Sequence, residues 1–493
     1  MKTRTINLSR LAVTIIIILA FALGAYPALA VTSPSRVLLS WTGDPATTIT
    51  ITYVDADGTT EGFVRYSTDS ALADATEVRA TAVPNKSAMD NDGARFTATL
   101  TNLTPATTYW YSVGNGDTWS AAQSFTTAET SPDNFSFAFF GDIQVTQSAA
   151  TDFAAWGKLA EAAYAKNPGI AFALQAGDIV ESGITTEHWA AFLDNASPVF
   201  SKIPFLPTNG NHESNFLSGK PELYLDTFTL PTNGPRGFEE EFYSVDYGSA
   251  HILVVNSWVF SGEQRLTAAQ LDALDAWVAF DLASSDAKFK IVLTHVPLYP
   301  VHSDNTGVSA REHWIDTFQK YGVTLMLVGH QHVYSRLSPL TNGAPDYEDG
   351  ITQIMGNSGL KFYDSADETY AERTIYNVSN YQVLTVDGDE LIVQTFDIDG
   401  NELDYVALTP RASESVTRAE YVDMLWRSVG SPVVEGVERF TDVPQNSPYA
   451  AAIAWARSAG IVVGVGGNRF NPNSKILPKH MNLILDRYNA VMA

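Results

Sequence analysis

At 493 residues the chain is too long for one ordinary domain and is sized for two to four units. With 45% apolar and 17% charged residues it can bury several cores, which tells against a disordered polymer. Its 30 basic and 55 acidic side chains leave a formal net charge of −25, so general binding to nucleic acid or anionic membrane is opposed by repulsion. A small anionic substrate is not excluded, because bound metal ions reverse the sign of the field within one pocket.

Lys2, Arg4 and Arg10 precede an apolar run over residues 11–23, and Ala28-Leu29-Ala30 supplies small residues for cleavage. The run is short for a membrane span and no second one follows. Residues 1–30 are therefore predicted to be a secretory signal, leaving a secreted or cell-surface protein with no transmembrane anchor. Its loss removes three basic residues, so the mature charge is 27 minus 55, or −28. No cysteine occurs, which leaves nitrogen and oxygen donors for any metal. Residues 31–128 are dominated by short runs rich in Thr, Val, Tyr and Phe. Runs at 37–41, 48–54, 62–67 and 96–100 read as strands of an antiparallel β-sandwich, expected to act as a spacer or binding module.

From Asn134 the pattern changes. Strands are predicted at 135–140, 170–175, 251–255, 289–294 and 323–328, and helices at 149–166, 186–194, 267–282 and 310–321. Such alternation implies a layered α/β core with sheets flanked by helices. Tight-turn pairs at Asp387-Gly388 and Asp399-Gly400 read as hairpins closing a domain of residues 133–410. Residues 413–493 read as a small α-helical module, with helices at 417–429 and 449–459.

Nine histidines occur, eight of them between His188 and His332. Position narrows the set. Asp142, Asp178, Asn211-His212, His295, and His330 with His332 each lie just past the carboxyl end of a predicted strand, where open α/β sheets place their sites. A Gly-Asp pair after a strand is more often a plain turn. Gly329-His330-Gln331-His332 carries more weight: read as a strand, residues two apart face one side and aim both imidazoles at one cavity. A pair of surface histidines is the plain alternative, and the ordered set of five motifs tells against it.

That set is Gly141-Asp142, Gly177-Asp178, Gly210-Asn211-His212-Glu213, Val292-Leu293-Thr294-His295 and Gly329-His330-Gln331-His332. It closely resembles the calcineurin-like metallophosphoesterases, particularly the purple acid phosphatase branch, which carries a fibronectin type III-like domain ahead of the catalytic one. Here residues 103–113 resemble the segment entering a late strand of fibronectin type III domains. The resemblance implies an exported binuclear metal-dependent phosphoesterase, an acid phosphatase-like hydrolase. It implies Asp178 bridging two metals, Asp142 and His332 on the first, and Asn211, His295 and His330 on the second. His212 would stay off the metals as the catalytic group facing substrate, with His302 loosely placed as another substrate-facing histidine.

Two positions depart from the pattern. Glu181 stands where the purple branch has a tyrosine ligand, and Gln144 where the wider superfamily often has a histidine. Gln144 and Glu181 are thus possible oxygen ligands. Mixed N/O ligation fits Fe, Zn or Mn as divalent or trivalent ions. Two such cations roughly 3.5–4 Å apart neutralise phosphate charge and generate hydroxide for in-line attack. Phosphomonoesters are the favoured substrates. Phosphodiesters or nucleotides at the same site, or a non-catalytic surface protein with a decayed site, are the alternatives.

Further on, Val416-Thr417-Arg418-Ala419-Glu420 and Phe440-Thr441-Asp442-Val443-Pro444 resemble an S-layer homology repeat. A second copy begins at Ile476-Leu477-Pro478-Lys479 without the arginine. This resemblance implies cell-wall polysaccharide as a partner beside the small phosphorylated substrate; with about one and a half repeats the module could instead bind weakly, depend on oligomerisation or be merely structural, and the acidic charge leaves nucleic acid out.

Overall fold

The computed structural model describes residues 33–83, 93–144, 148–215, 218–261, 266–302, 306–364 and 369–492; the signal expected over 1–30 lies outside the described residues. Seven strands come first: β1 (Ser35–Ser40), β2 (Ile49–Asp55), β3 (Gly62–Ser67), β4 (Thr76–Ala82), β5 (Ala94–Leu100), β6 (Thr108–Gly114) and β7 (Gln123–Thr126). They form one ladder in the order β1-β2-β5-β4-β3-β6-β7. Because β4 pairs along β3 but reaches β5 only through Thr81 and Ala82, the ladder folds over at that strand into a sandwich. The Tyr53 hydroxyl of β2 donates across it to the Gly114 carbonyl at 2.9 Å.

The central domain begins with β8 (Asn134–Phe140), α1 (Ala149–Lys166), β9 (Ile170–Gln175), α2 (Thr186–Phe200), β10 (Phe205–Pro207) and α3 (Glu222–Thr227). It continues with β11 (Tyr243–Tyr247), β12 (Ala250–Val254), α4 (Ala268–Ser284), β13 (Phe289–Leu293), α5 (Val308–Lys320) and β14 (Val323–Val328). Short strands β15 (Tyr334–Leu337), β16 (Leu340–Thr341), β17 (Ala344–Pro345), β18 (Thr352–Met355) and β19 (Ala371–Ile375) follow. The last three are β20 (Asn380–Asp387), β21 (Glu390–Asp397) and β22 (Glu402–Leu408), joined by the two predicted tight turns, with Gly388 and Gly400 at positive φ.

Two sheets result. The first runs β10-β9-β8-β20-β21-β22 and the second β11-β12-β13-β14-β18-β15-β19. Within them β8, β9 and β10 are parallel, as are β12, β13, β14 and β18, so their carboxyl ends gather on one rim. Alternation along β13 explains the layering: Ile291 and Leu293 join Phe137 and Leu384 of the first sheet in one core, while Val292 joins Trp277 and Trp314 of the covering helices. On the opposite flank Trp156 of α1 packs against Phe140 and Phe200. Helix α2 runs beyond its predicted end, through Pro198, because Val199 and Phe200 are buried in this core.

The sandwich is not a detached spacer. Its β1 is buried along almost its whole length against α2, with Arg36 paired to Asp194 at 2.7 Å and Leu39 bridged to Pro204. The C-terminal module contains α6 (Arg418–Ser428), α7 (Ala450–Ser458) and α8 (Pro478–Met492). A capping box between Thr417 and Glu420 starts α6, which packs on α4 through Tyr421 and Phe280, with ring centroids 4.9 Å apart. Arg418 is turned inward, its Nε donating to the Phe470 carbonyl at 3.0 Å and its guanidinium lying over that ring.

Candidate metal centre

The turns leaving β8, β9, β10, β13 and β14 bring Asp142, Asp178, Asn211, His295, His330 and His332 together. Asp178, His295 and His330 form one group, and Asp142, Asp178 and His332 a second; within each, one donor atom per residue lies within 4.8 Å of the others. Asp178 belongs to both. The glycines preceding these residues follow from this closeness: a Cβ on Gly210 would strike Asp178 Oδ1, and one on Gly329 would strike Asp142 Oδ1.

Convergence of His330 and His332 does not come from a strand pleat, as the spacing suggested. Both residues are left-handed, with φ of 75° and 47°, and lie in a bend between β14 and β15. The bend lets the His330 amide donate to both Asp142 oxygens at 2.9 and 2.8 Å, locking the turn onto the first carboxylate. Asp178 is also left-handed, at φ 51°. Glu213 holds that conformation: its buried carboxylate accepts the amides of Asp178 (2.8 Å), Ile179 (2.8 Å), Val180 (3.2 Å) and Gly210 (2.6 Å). In the sequence Glu213 shows only as the last residue of the Gly210-Asn211-His212-Glu213 motif, with nothing to mark this role.

His295 Nδ1 faces the Ala176 carbonyl at 2.7 Å, which leaves Nε2 aimed inward. That Nε2 lies 3.1 Å from Asn211 Oδ1, 3.2 Å from His330 Nδ1 and 3.3 Å from Asp178 Oδ1, while His330 Nδ1 is 3.0 Å from the same Asn211 oxygen. With its own proton on Nδ1, His295 Nε2 meets the Asn211 and Asp178 oxygens lone pair against lone pair, an arrangement that a proton or a metal ion between them relieves.

The electrostatics agree. Burial pushes Asp142 up to about 7, with the Asp178 charge adding and His295 opposing. Burial acts to raise Asp178 as well, but His295, His212 and His330 outweigh it and hold the carboxyl well below its usual range. Burial lowers His295, yet Asp178 and Asp142 carry it up to about 9, so the cluster draws positive charge to this point as a proton or a metal ion. His332 is pushed down to about 3, chiefly by burial, and is neutral as a ligand must be. The residues present therefore fit hard or borderline cations.

His212 lies beside both groups. Its Nδ1 donates to the Glu181 carbonyl at 2.6 Å and its Nε2 is 3.9 Å from Asp178 Oδ2. Gln144 sits at the first group: with its oxygen toward His332 Nε2 at 2.8 Å, that oxygen also accepts from Lys361 Nζ at 3.0 Å, and its nitrogen donates to His212 Nε2 at 3.2 Å and Asp178 Oδ2 at 3.3 Å. The Glu181 side chain belongs to neither group and faces Lys361 and His212 at 3.8 and 4.0 Å. His302 stands at the rim, 6.0 Å from the Tyr363 ring, which lies 4.6 Å from that of His332. Lys361 went unnoticed in the sequence; the one signal was a lysine following the Gly356-Asn357-Ser358-Gly359 turn after β18.

Residues 34–127 match the purple acid phosphatase N-terminal domain, residues 135–334 the calcineurin-like phosphoesterases, and residues 439–477 the S-layer homology domain. An uncharacterized protein of Mycobacterium tuberculosis is 28% identical over 288 residues, covering 49% of this chain and 50% of that one. The Fe(3+)-Zn(2+) purple acid phosphatase 12 of Arabidopsis thaliana is 22% identical over 277 residues, or 52% and 55%. The chain thus spans about half the length of these curated relatives. Purple acid phosphatase PPD1 of yellow lupin (Lupinus luteus) shares the fold, with a TM-score of 0.64 and 19% identity over 83% of this chain and 78% of that one. Fold and matched domains agree: residues 135–334 form a calcineurin-like phosphoesterase domain behind a purple acid phosphatase-type N-terminal domain, and an S-layer homology domain follows.

Proposed function

We propose that this protein is an exported metal-dependent phosphoesterase that hydrolyses phosphomonoesters. The observation that carries the reading is the convergence of Asn211 Oδ1, His295 Nε2 and His330 Nδ1 within 3.0–3.2 Å of one another, beside a carboxylate shared with a second group. Asp142 and His332 would hold the first ion, Asn211, His295 and His330 the second, and Asp178 both; Gln144 is close enough to the first group to add an oxygen. Ions of the Fe, Zn or Mn class supply charge neutralisation and a nucleophile drawn from water near neutral pH. The chain's own part is positioning. Glu213 fixes the two turns carrying Asp178 and Asn211, and the Ala176 carbonyl fixes the His295 ring. With Nδ1 committed to the Glu181 carbonyl, His212 presents Nε2 to the site, 3.2 Å from the Gln144 amide nitrogen, and there it would deliver a proton to the leaving oxygen once substrate displaces that contact.

Domain limits of 31–128, 133–410 and 413–493 follow from the same reading. No helix among the described residues is long and apolar enough to cross a membrane. The S-layer homology domain supports attachment at the cell surface, with wall polysaccharide as partner. Retention of a fusion of residues 413–493 on purified wall fragments tests that part.

Metal analysis of the purified chain, with chromogenic monoester and diester substrates assayed side by side, tests the whole reading. Two bound ions and faster monoester cleavage are expected. A chain that binds two ions and cleaves neither ester is a binding protein, and the enzymatic reading then fails.

A further inference from the structure

Lys361 brings a positive charge of the chain's own to the edge of the first group. Its backbone is stapled to the Asp142 turn: the Ser358 and Gly359 amides donate to the Asp142 carbonyl at 3.0 and 2.6 Å, and Asn357 Nδ2 donates to the Lys361 carbonyl at 2.9 Å. The side chain lies along the Tyr363 ring, with Nζ 5.6 Å from its centroid, and that ring packs against His332. Nζ therefore stands over the Asp142–His332 side of the site on a stem fixed from below. It meets the Gln144 oxygen at 3.0 Å and reaches Glu181 only at 3.8 Å. The Lys361 side chain is 24% exposed and that of Glu181 41%, so this ion pair is loose and borders on solvent.

We propose that the Lys361 ammonium binds a non-bridging oxygen of the substrate's phosphoryl group on this side of the site. The inference rests on the phosphoesterase reading above and adds a specificity residue to it. An ammonium has three donors, and one amide oxygen with one distant carboxylate leaves capacity for an anion. A monoester dianion keeps negative charge on each of its non-bridging oxygens, and a half-buried ammonium is worth more to such an oxygen than one in bulk water. Glu181 then acts as a competitor, holding Nζ when no phosphate is present. A diester puts a second alkyl or aryl group on one of these oxygens, so Lys361 favours monoesters.

The test uses the full-length metal-loaded protein and inorganic phosphate, measured directly by calorimetry and as an inhibitor, with monoester kinetics alongside. Lys361→Met keeps the stem and removes the charge. It is expected to weaken phosphate binding and raise KM by about 10- to 100-fold, the range of one charge-assisted hydrogen bond, with a smaller change in kcat and unaltered metal content. Lys361→Arg restores most of the affinity, and Glu181→Gln strengthens phosphate binding. Unchanged phosphate affinity in Lys361→Met overturns the proposal, and so does loss of metal in that variant, which makes the lysine structural. If the native protein binds phosphate yet hydrolyses no ester, the phosphoesterase reading fails while calorimetry still decides the role of Lys361.

Discussion

Asp178, His330 and His332 share an uncommon property: each holds a left-handed backbone that L-residues with side chains seldom adopt. Such strain persists only where surrounding groups over-determine it, and Glu213 does so at Asp178. Burial raises the Glu213 carboxyl to about 7, with Asp178 adding, while the Gly210 and Val180 amides oppose the rise. Glu213→Gln keeps the shape but exchanges one acceptor oxygen for a donor facing backbone N–H groups. A loss of about 1–3 kcal/mol in chemical unfolding is expected, with weaker metal retention on dialysis. His212→Ala should behave differently, lowering turnover while metal analysis still finds both ions; loss of metal would make His212 a ligand. Colour gives a third check. With Glu181 in place of the tyrosine found in the purple branch, the pure holoprotein is expected to be colourless or weakly coloured. An intense visible band would contradict that reading.

At the scale of elements, β12 shows why histidine clustering alone was a poor guide. His251 lies in the histidine-rich stretch yet points away from the site. It is buried between Asp246 of β11 and Asp281 of α4, with 2.7 Å to each. Burial would lower it, but the two carboxylates carry it up to about 10. The ordinary value in an unfolded chain is about 6.5. The folded value is the higher one, so this contribution to stability is complete below about 6.5 and is lost as pH rises through about 10. Asp281→Asn breaks a buried pair and should cost about 3–5 kcal/mol at pH 7, and urea unfolding between pH 7 and 10 should then show a shallower decline. His313 is structural too, donating to Asp275 and stacking on Phe260. What the sequence did make legible was place: a ligand-type residue one turn beyond a buried strand. The positions of Asp142, Asp178, Asn211 and His295 could be read this way because a run such as Phe289–Leu293 fixes where a parallel strand ends. The His330 bend and the reach of Lys361 could not, since both depend on contacts with residues far away in the chain.

In the whole molecule, the shifts of composition seen along the sequence are not breaks in packing. One apolar core runs from Leu39 and Tyr111 of the sandwich into Phe137 and Phe172 of the first sheet. A second runs from Val292 and Trp314 into Tyr421, Ile453 and Phe470 of the C-terminal module. Scanning calorimetry of the full chain should therefore show one dominant transition. Truncation before Ser413 uncovers Phe280, strands Asp272 without Arg427 and removes the Tyr421 hydroxyl from Ser284. A lower Tm and a tendency to aggregate are expected, and an unchanged Tm would show that the module merely hangs on a flexible linker.

The grip of α6 on α4 has a directional consequence. Helix α4 leads within a few residues into β13, whose end carries His295. A protein gripped by its C-terminal module is thus gripped through the sheet that carries the candidate metal centre. Wherever those helices are moored, the mouth of the centre keeps one bearing toward the mooring, like a tool clamped in a vice rather than one swinging on a cord.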